Sequence, residues 1–578
     1  MPKIAPKTQE EVLSRLKKQM SDSWTYRENN YDSHLKEVLD HVYPQAKRFL
    51  MQNEKHDRDS QRKIINNVGK TSLNTFAAGM QSGTCSPSRP WFALGANQYL
   101  GASSDSGLIT FLQELQAILY KELAASNCYQ VIHSMFKDQG ALGASCSLFD
   151  DEPEETDADK PALDLIHLPF GTFAIDVDYL NRVTTLYHYV EMSLNDLVDR
   201  FPEDKDWPYP AKIKQAIEEK KHSAMFKVVH IIEKSKNDLV IKDKTILERA
   251  YISYWYLDGE KDQFLRVSGF DSFPGVVPRL DVMGTDRYGE SLASSALGDF
   301  KELQKTHLQM LEGTDKAIRP PMLIPTTLRN NMAQLNPGGR IFYDPQSIAG
   351  SAVDTIKPAM MVQLDYSGVM NEQNAARERI RQTFYTDLFL MLDNFDKGRM
   401  TATEVAERKA EKMLMLGSIL ERQNVELLKP IIEIAVARIL KMKNRYPELI
   451  EKHEGFAKSG YDIEFVSILS QAQKAAGSAN LERATQYLLG VVSANPDSAD
   501  LIDVDKLITH YCDMNSVPAD VIRDLQEVKK IRAARAEAQA QAQQMAMLQQ
   551  AGAGVKDMAG AAGAVAELGS NPNMQSPL

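Results

Sequence analysis

Cysteine is scarce and shows no pairing. The four cysteines, Cys85, Cys128, Cys146 and Cys512, are scattered through 578 residues. They lack the short spacings of a zinc site or a disulfide framework, so neither is expected and a reducing compartment of synthesis is the default. Long apolar runs are lacking too. No stretch reaches the ~18 consecutive apolar residues of a membrane span. The opening MPKIAPKTQEEVLSRLKKQ has no hydrophobic centre and does not read as a secretory signal. Positive charge is in the minority, with 67 Lys and Arg against 78 Asp and Glu and a formal net charge of −11. A protein that grips nucleic acid by neutralising phosphates is basic, at least locally. Sequence-specific DNA binding is therefore disfavoured, whereas a surface past which DNA slides without being held stays open.

Catalytic signatures are missing as well. There is no Gly-x-Ser-x-Gly elbow, no His-Glu-x-x-His, and no His/Asp/Ser set at a family spacing. The eleven histidines are dispersed, and a lone one such as His307 reads as a packed or interfacial residue. Gly69-Lys70-Thr71 resembles the end of a phosphate-binding loop, but the glycine required five positions earlier is Ile64. The run Ile64 to Met80 reads as one helix, not as strand, loop and helix. The acidic stretch Asp150 to Lys160 reads as a solvated turn, not a metal site. No cofactor is expected.

What the sequence does have is a stretch from Arg287 to Phe395 around which the rest is arranged. Tyr288 to Ile318 reads as one helix of thirty-one residues, a rod of roughly 46 Å at about 1.5 Å per residue. Ala293, Ala296, Phe300, Leu303, His307 and Met310 fall on one face. Leu297, Leu308 and Leu311 make a second apolar stripe beside it, which implies contacts on both flanks. Six prolines then fall between Arg319 and Asp365, a density no helix survives. Two strand-like runs remain there, Met322–Ile324 and Arg340–Tyr343, with a turn signal at Asn336-Pro337-Gly338-Gly339. A second helix starts near Tyr366, with Val369, Gln373, Ala376, Ile380, Phe384, Leu388 and Met391 on one face.

The length predicts about three or four domain-sized units. Residues 8–53 read as two helices, opened by a Thr8–Glu11 capping box and closed near Pro44. After a turn at Ser86–Pro90, residues 107–137 give two more helices. Strands are expected at Ser145–Phe149, Asp164–Val177, Arg182–Met192, Phe226–Glu233, Ala250–Tyr256 and Phe264–Val267, with a short helix at Asn195–Phe201. That is an α+β unit with an antiparallel sheet. A polar break spans Asp393–Arg399. A helix capped by Thr401 and Glu404 runs to about Leu428 and, kinked at Pro430, on to Lys443. A strand is expected at Phe465–Leu469, helix from Gln471 to Ala494, small helices at Leu507–Tyr511 and Ala519–Leu525, and a solvated or intersubunit helix from Val528. A Gly/Ala tail after Ala551 is expected to be disordered.

Several stretches together resemble the portal, or head-to-tail connector, proteins of short-tailed phages of podovirus type. They are Ser88-Arg89-Pro90-Trp91-Phe92; Tyr288-Gly289-Glu290-Ser291 leading to Ala296-Leu297-Gly298-Asp299-Phe300-Lys301; Arg319-Pro320-Pro321-Met322-Leu323-Ile324-Pro325; Met400-Thr401-Ala402-Thr403-Glu404-Val405; and the Ala/Gln/Arg-rich tail. The resemblance covers roughly residues 10–550. Each piece alone is weak, and their order and spacing carry the specificity. Phe300 departs from it, an aliphatic residue being commoner there.

The resemblance implies a mainly helical α+β portal fold. Its parts would be a wing (1–286, resumed over 401–493), a stem of two helices (287–318 and 366–392), a small β-containing clip (319–365), a channel loop (393–400) and a helical crown (494–550). It implies a non-enzymatic ring of a dozen copies at one capsid vertex of the virion, assembled in the host cytoplasm. Such a ring forms the DNA channel for genome packaging and ejection. The implied partners are the major capsid protein and scaffold, the terminase large subunit, a tail adaptor or tube protein, and double-stranded DNA read without sequence specificity.

The candidate channel loop is Asp393, Asn394, Phe395, Asp396, Lys397, Gly398 and Arg399. Candidate stem residues for the channel or for contacts between copies are Lys301, Lys305, Glu372, Arg377, Glu378, Arg379 and Arg381. Pairing of the cations with Glu372 and Glu378, or across copies, is favoured over phosphate contact. Arg319, Arg329, Arg340 and Asp344 are candidates for clip docking. A packaging ATPase or nuclease, or another internal virion scaffold, is the alternative. The first two would need a complete phosphate loop or a carboxylate cluster, and the last a long coiled coil without the Pro-rich excursion.

Overall fold

The computed structural model describes residues 8–51, 64–96, 106–149, 163–204, 207–236, 246, 248–260, 263–325, 340–343, 357–358, 365–393, 416–442, 444–456, 460–466, 528, 530–541 and 543. The chain divides into two compact units, Met1–Ala476 and Gly477–Leu578.

The first unit opens on helix Gln9–Arg27. The Thr8 hydroxyl accepts the Glu11 N–H and the Glu11 carboxylate accepts the Thr8 N–H, so the capping box closes as the sequence predicts. Five π-helical residues, Glu28–Asp32, lead into helix Ser33–Val42. Here Arg27, fully buried, donates to both Asp32 carboxylate oxygens and to the Phe173 carbonyl, so no charge is left unpaired. Helix Val68–Thr84 buries Leu73, Phe76, Ala77 and Met80. Helices Ser106–Ala125 and Cys128–Leu142 follow.

The strands are β1 (Phe92–Ala96), β2 (Cys146–Phe149), β3 (Leu165–Leu168), β4 (Phe173–Val177), β5 (Val183–Ser193), β6 (Met225–Lys234), β7 (Tyr251–Leu257), β8 (Arg266–Phe270) and β9 (Gly275–Val276). The strands β4 to β8 form an antiparallel meander in sequence order, and β3-β2-β9 a second sheet. The single strand expected over Asp164–Val177 is two strands in different sheets. Pro169 has no N–H to donate, and its carbonyl instead accepts from Thr172 to close a turn. The last strand of the meander starts two residues and ends three residues later than expected, and Phe264 and Leu265 before it are buried in the clusters on its two faces.

The meander is apolar on both faces, so its strands read as almost unbroken hydrophobic runs. Helix Gln9–Arg27 places Val12, Leu13 and Leu16 against Tyr187, Val229, Ile231 and Tyr254 on one face. Leu194, Leu197 and Ile213 cover Val228, Trp255 and Leu257 on the other. Ile213 comes from helix Ala211–Glu218, which the sequence reading did not anticipate, nor did it anticipate helix Pro447–Phe456.

A third sheet pairs β10 (Met322–Pro325) in parallel with β11 (Arg340–Tyr343) and antiparallel with β12 (Lys357–Pro358). Both strand-like runs of the Pro-rich stretch are thus strands. The fourth pairs β13 (Tyr461–Phe465) antiparallel with β1. The strand expected at Phe465–Leu469 therefore lies four residues earlier. The alternation Tyr461, Ile463, Phe465 is its signal, with Asp462 and Glu464 pointing the other way. Helix Gly417–Gln423 passes through a π-helical turn, Asn424–Leu428, into Lys429–Lys441, and Pro430, which has no N–H to donate, follows that turn directly.

Cys85, Cys128 and Cys146 are buried and free. Burial pushes the first two thiols up to about 12. No described helix is long and apolar enough to cross a membrane. In the second unit, residues 530–541 are helical and, beyond residue 531, exposed, as the Ala/Gln/Arg-rich composition predicts.

Candidate assembly and channel surface

The long helix expected over Tyr288–Ile318 starts late and is interrupted. Glu290 donates its N–H to the Asp281 carbonyl in a β-bridge, and Tyr288, in the bend before it, is buried in the core, so neither is helical. Ser291 caps a single turn, Leu292–Ser295. After a one-residue break at Ala296 the main helix runs from Leu297 to Ile318, twenty-two residues or roughly 33 Å. The returning helix is divided as well. Tyr366–Thr383 ends where Tyr385 takes φ +53°, and Thr386–Asp393 follows. A non-glycine residue in that region costs about 1–2 kcal/mol. Burial of Phe384, Leu388 and Phe389 on either side holds it there.

Helices Leu297–Ile318 and Tyr366–Thr383 pack as an antiparallel hairpin. Phe300 meets Phe384 at 6.2 Å between ring centres, and the Gln373 amide reaches the Met310 sulfur at 3.6 Å. At the root, Gln304 accepts the Ile65 and Asn66 N–H groups and donates to the Asn66 carbonyl. His307 lies 3.5 Å from the Asn66 amide, a partly buried packing position. The predicted inner face is therefore buried at Ala293, Ala296, Phe300 and Leu303. Of the second stripe, Leu297 is buried, while Leu308 and Leu311 are 45% and 49% exposed. Ile318, Tyr366 and Met370 are exposed with them.

The candidate stem charges lie on this hairpin with partners other than those expected. Arg379 donates to Asp299 at 2.6 Å and to Glu302 at 2.8 Å across the hairpin, not to Glu372 or Glu378. The bond to Asp299 holds its guanidinium above the ordinary arginine range. Lys301 pairs with Glu37 at 2.6 Å and holds that carboxyl below the usual range. Arg377 donates to Asn374, and Glu378 accepts from Gln382. Lys305, Glu372 and Arg381 are exposed. Geometry decides the difference: Asp299 and Glu302, three residues apart, face the returning helix, a pairing between helices that periodicity within one helix does not display.

Arg319 is exposed and its N–H caps the helix at the Asp315 carbonyl. Arg340 opens β11, paired with Met322. Asp393 ends its helix. Arg329, Asp344, Asn394, Phe395, Asp396, Lys397, Gly398 and Arg399 lie outside the described residues, as do the helices expected over Gln471–Ala494, Leu507–Tyr511 and Ala519–Leu525. Gly69-Lys70-Thr71 lies in the first turn of a helix, with Gly69 buried. Its Thr71 hydroxyl donates to the Asn67 carbonyl. Among the described residues no three His, Cys, Asp or Glu side chains are placed to hold a metal.

An α+β body that carries a helical hairpin tipped by a small mixed sheet, with apolar side chains left uncovered along the hairpin, defines a structural assembly subunit. The family described as bacteriophage head to tail connecting protein matches residues 13–522, and the chain belongs to it. It is 33% identical over 524 residues, 90% of each chain, to a probable portal protein of Bordetella phage BPP-1. It is 30% identical over 555 residues, 94% of this chain and 95% of the other, to the portal protein of Salmonella phage epsilon15. Among solved structures, a chain of the virion of a native gene transfer agent particle aligns over 74% of this chain and 86% of its own. The identity is 11% and the TM-score 0.31, too low to define a fold.

Proposed function

We propose that the chain is the portal subunit of a tailed phage, a ring-forming structural protein at one vertex of the capsid. The uncovered apolar flank of the hairpin, Leu308, Leu311, Ile318 and Met370, is the observation that carries this reading beyond family membership. A subunit in a closed ring needs two different complementary flanks, and a helix in a monomer has no use for a second apolar stripe. The hairpins line the channel and the β10–β12 sheet forms the clip, which meets the terminase large subunit during packaging and the tail adaptor afterwards. The capsid protein and scaffold surround the ring. Double-stranded DNA passes without being read. The pairing of Lys301 and Arg379 with carboxylates of their own chain suits that passage, because neutralised cations release no counterions from DNA and do not retain it.

Gold labelling of an affinity tag on the chain in intact virions tests this. The expected result is one focus per particle at the head–tail junction. Label spread over the capsid, or found only on ejected contents, contradicts it.

A further inference from the structure

The two edges of the hairpin are unlike, and its own contacts fix which side chain lies on which. Phe300 against Phe384 and Met310 against Gln373 mark the seam between the helices. Leu303, Ala376 and Ile380 are buried along it. Arg379 bonds Asp299 and Glu302 across one edge of that seam. At about 100° per residue, Thr306, Gly313, Ala317 and Glu372 follow on the same edge. Leu308, Leu311, Met370, Arg377 and Arg381 fall on the other.

The second of these edges is bulky and cationic. Leu308, Leu311 and Met370 are half-exposed. Arg377 donates to the Asn374 side chain and Arg381 is exposed. Among the described residues neither arginine pairs with a carboxylate. Asp315 is the carboxylate of this edge and lies nearer the tip. The first edge is slim and anionic. Thr306, Gly313 and Ala317 are short, and three carboxylates, Asp299, Glu302 and Glu372, stand against one cation, Arg379. Lys305, Glu312, Lys316 and Glu378 point away from the seam, toward neither edge. Lys301 is tied to Glu37 of the body.

The edges match at equal heights. The contacts of Phe300 with Phe384 and of Met310 with Gln373 set an antiparallel register that levels Arg381 with Glu302 and Met370 with Gly313. A cation on one edge is thus level with an anion on the other, and a large apolar side chain with bare backbone. Rotating a second copy about an axis along the hairpin brings equal heights together. The surface that fits the bulky edge is therefore the slim edge of another copy.

We propose that Leu308, Leu311 and Met370 of each copy pack along the Thr306–Gly313–Ala317 edge of the next, with Arg381 set against Glu302. This rests on the ring reading and goes beyond it by assigning the facing surface.

The test uses the full chain with Cys512→Ser, so that the remaining native cysteines are the buried ones. Combining Leu308→Cys with Thr306→Cys is expected to give, on oxidation of assembled rings, a covalent ladder on a non-reducing denaturing gel. Neither single variant should give one. Separately, Arg381→Glu is expected to raise the concentration at which half the chains are assembled by about fivefold. Adding Glu302→Lys, which restores opposite charges between copies, should recover most of that loss. Arg381 is exposed, so its substitution leaves the thermal midpoint of the monomer unchanged. Rings that give no ladder, that assemble unchanged with Arg381→Glu, or that Glu302→Lys does not rescue overturn the proposal and leave the ring reading intact. A wild-type chain that forms no ring overturns both.

Discussion

Phe300 fills the space that a side chain on residue 69 would need. A Cβ added to Gly69 would lie 2.8 Å from Phe300 Cε1, closer than real contacts allow. The glycine that looks like part of a phosphate loop is thus a seat for the root of the hairpin. The aromatic departure at Phe300 and the glycine at 69 are two halves of one packing decision. Gly69→Ala is expected to destabilise the chain by about 1–3 kcal/mol through overpacking, despite the better helix propensity of alanine. Phe300→Leu in the same chain is expected to recover much of that loss. A double-mutant cycle by urea denaturation measures it, and additive effects would show that the two residues are not coupled.

Acid is expected to weaken the meander. His188 and His230 are cross-strand neighbours, fully buried, with ring nitrogens 2.8 Å apart, and His230 also bonds Ser253 at 2.7 Å. Burial, first, and then the nearby Arg200 charge push His188 down to about 3, and burial with the adjacent His188 pushes His230 well below its ordinary value. Both rings are neutral when folded and titrate near 6.5 when unfolded. The unfolded chain therefore binds more protons as the pH falls, so this contribution is complete above about 6.5 and is lost on acidification toward the folded values. Each ring adds a slope of up to about 1.4 kcal/mol per pH unit. Urea midpoints between pH 7 and 5 should fall, and His188→Leu should reduce the slope. An unchanged slope would mean that the pair is solvated.

Arg279 is the charge on which three segments meet, bonding Glu426, Asn181 and the Arg287 carbonyl while almost wholly buried. Arg279→Leu leaves Glu426 and the Asn181 carbonyl short of partners. The expected loss is about 3 kcal/mol, at the low end for a broken buried pair because Arg422 also bonds Glu426. Unfolding by urea measures it. A loss within error would show that water replaces the guanidinium.

The sequence shows most of what the fold uses and less of what the site uses. Capping at Thr8, the face Ala293–Leu303, the strands either side of the Asp178–Asn181 turn and the Pro-rich excursion are local signals, and local signals are readable. The two breaks in the long helices are not local. The interruption before Leu297 follows a bridge from Glu290 to Asp281, and that after Thr383 is held by burial around Tyr385. The same holds for charge. Lys301 and Arg379 are visible as cations, but Glu37, Asp299 and Glu302 become their partners only once distant helices meet.

The exposed flank of the hairpin separates folding from assembly. Leu308→Asp with Leu311→Asp replaces half-exposed apolar side chains, so the thermal midpoint of the monomer is expected to stay within a few degrees of the unmodified chain. Assembly should fail, as read by sedimentation velocity. Normal assembly of this variant would place the contacts between copies elsewhere.

The most direct test of the account is the mass and symmetry of the purified full chain, by native mass spectrometry with negative-stain images. The account predicts closed rings of about a dozen copies around a central hole, the heterologous arrangement that two unlike flanks demand. A chain that stays a monomer or a compact dimer at high concentration would contradict it.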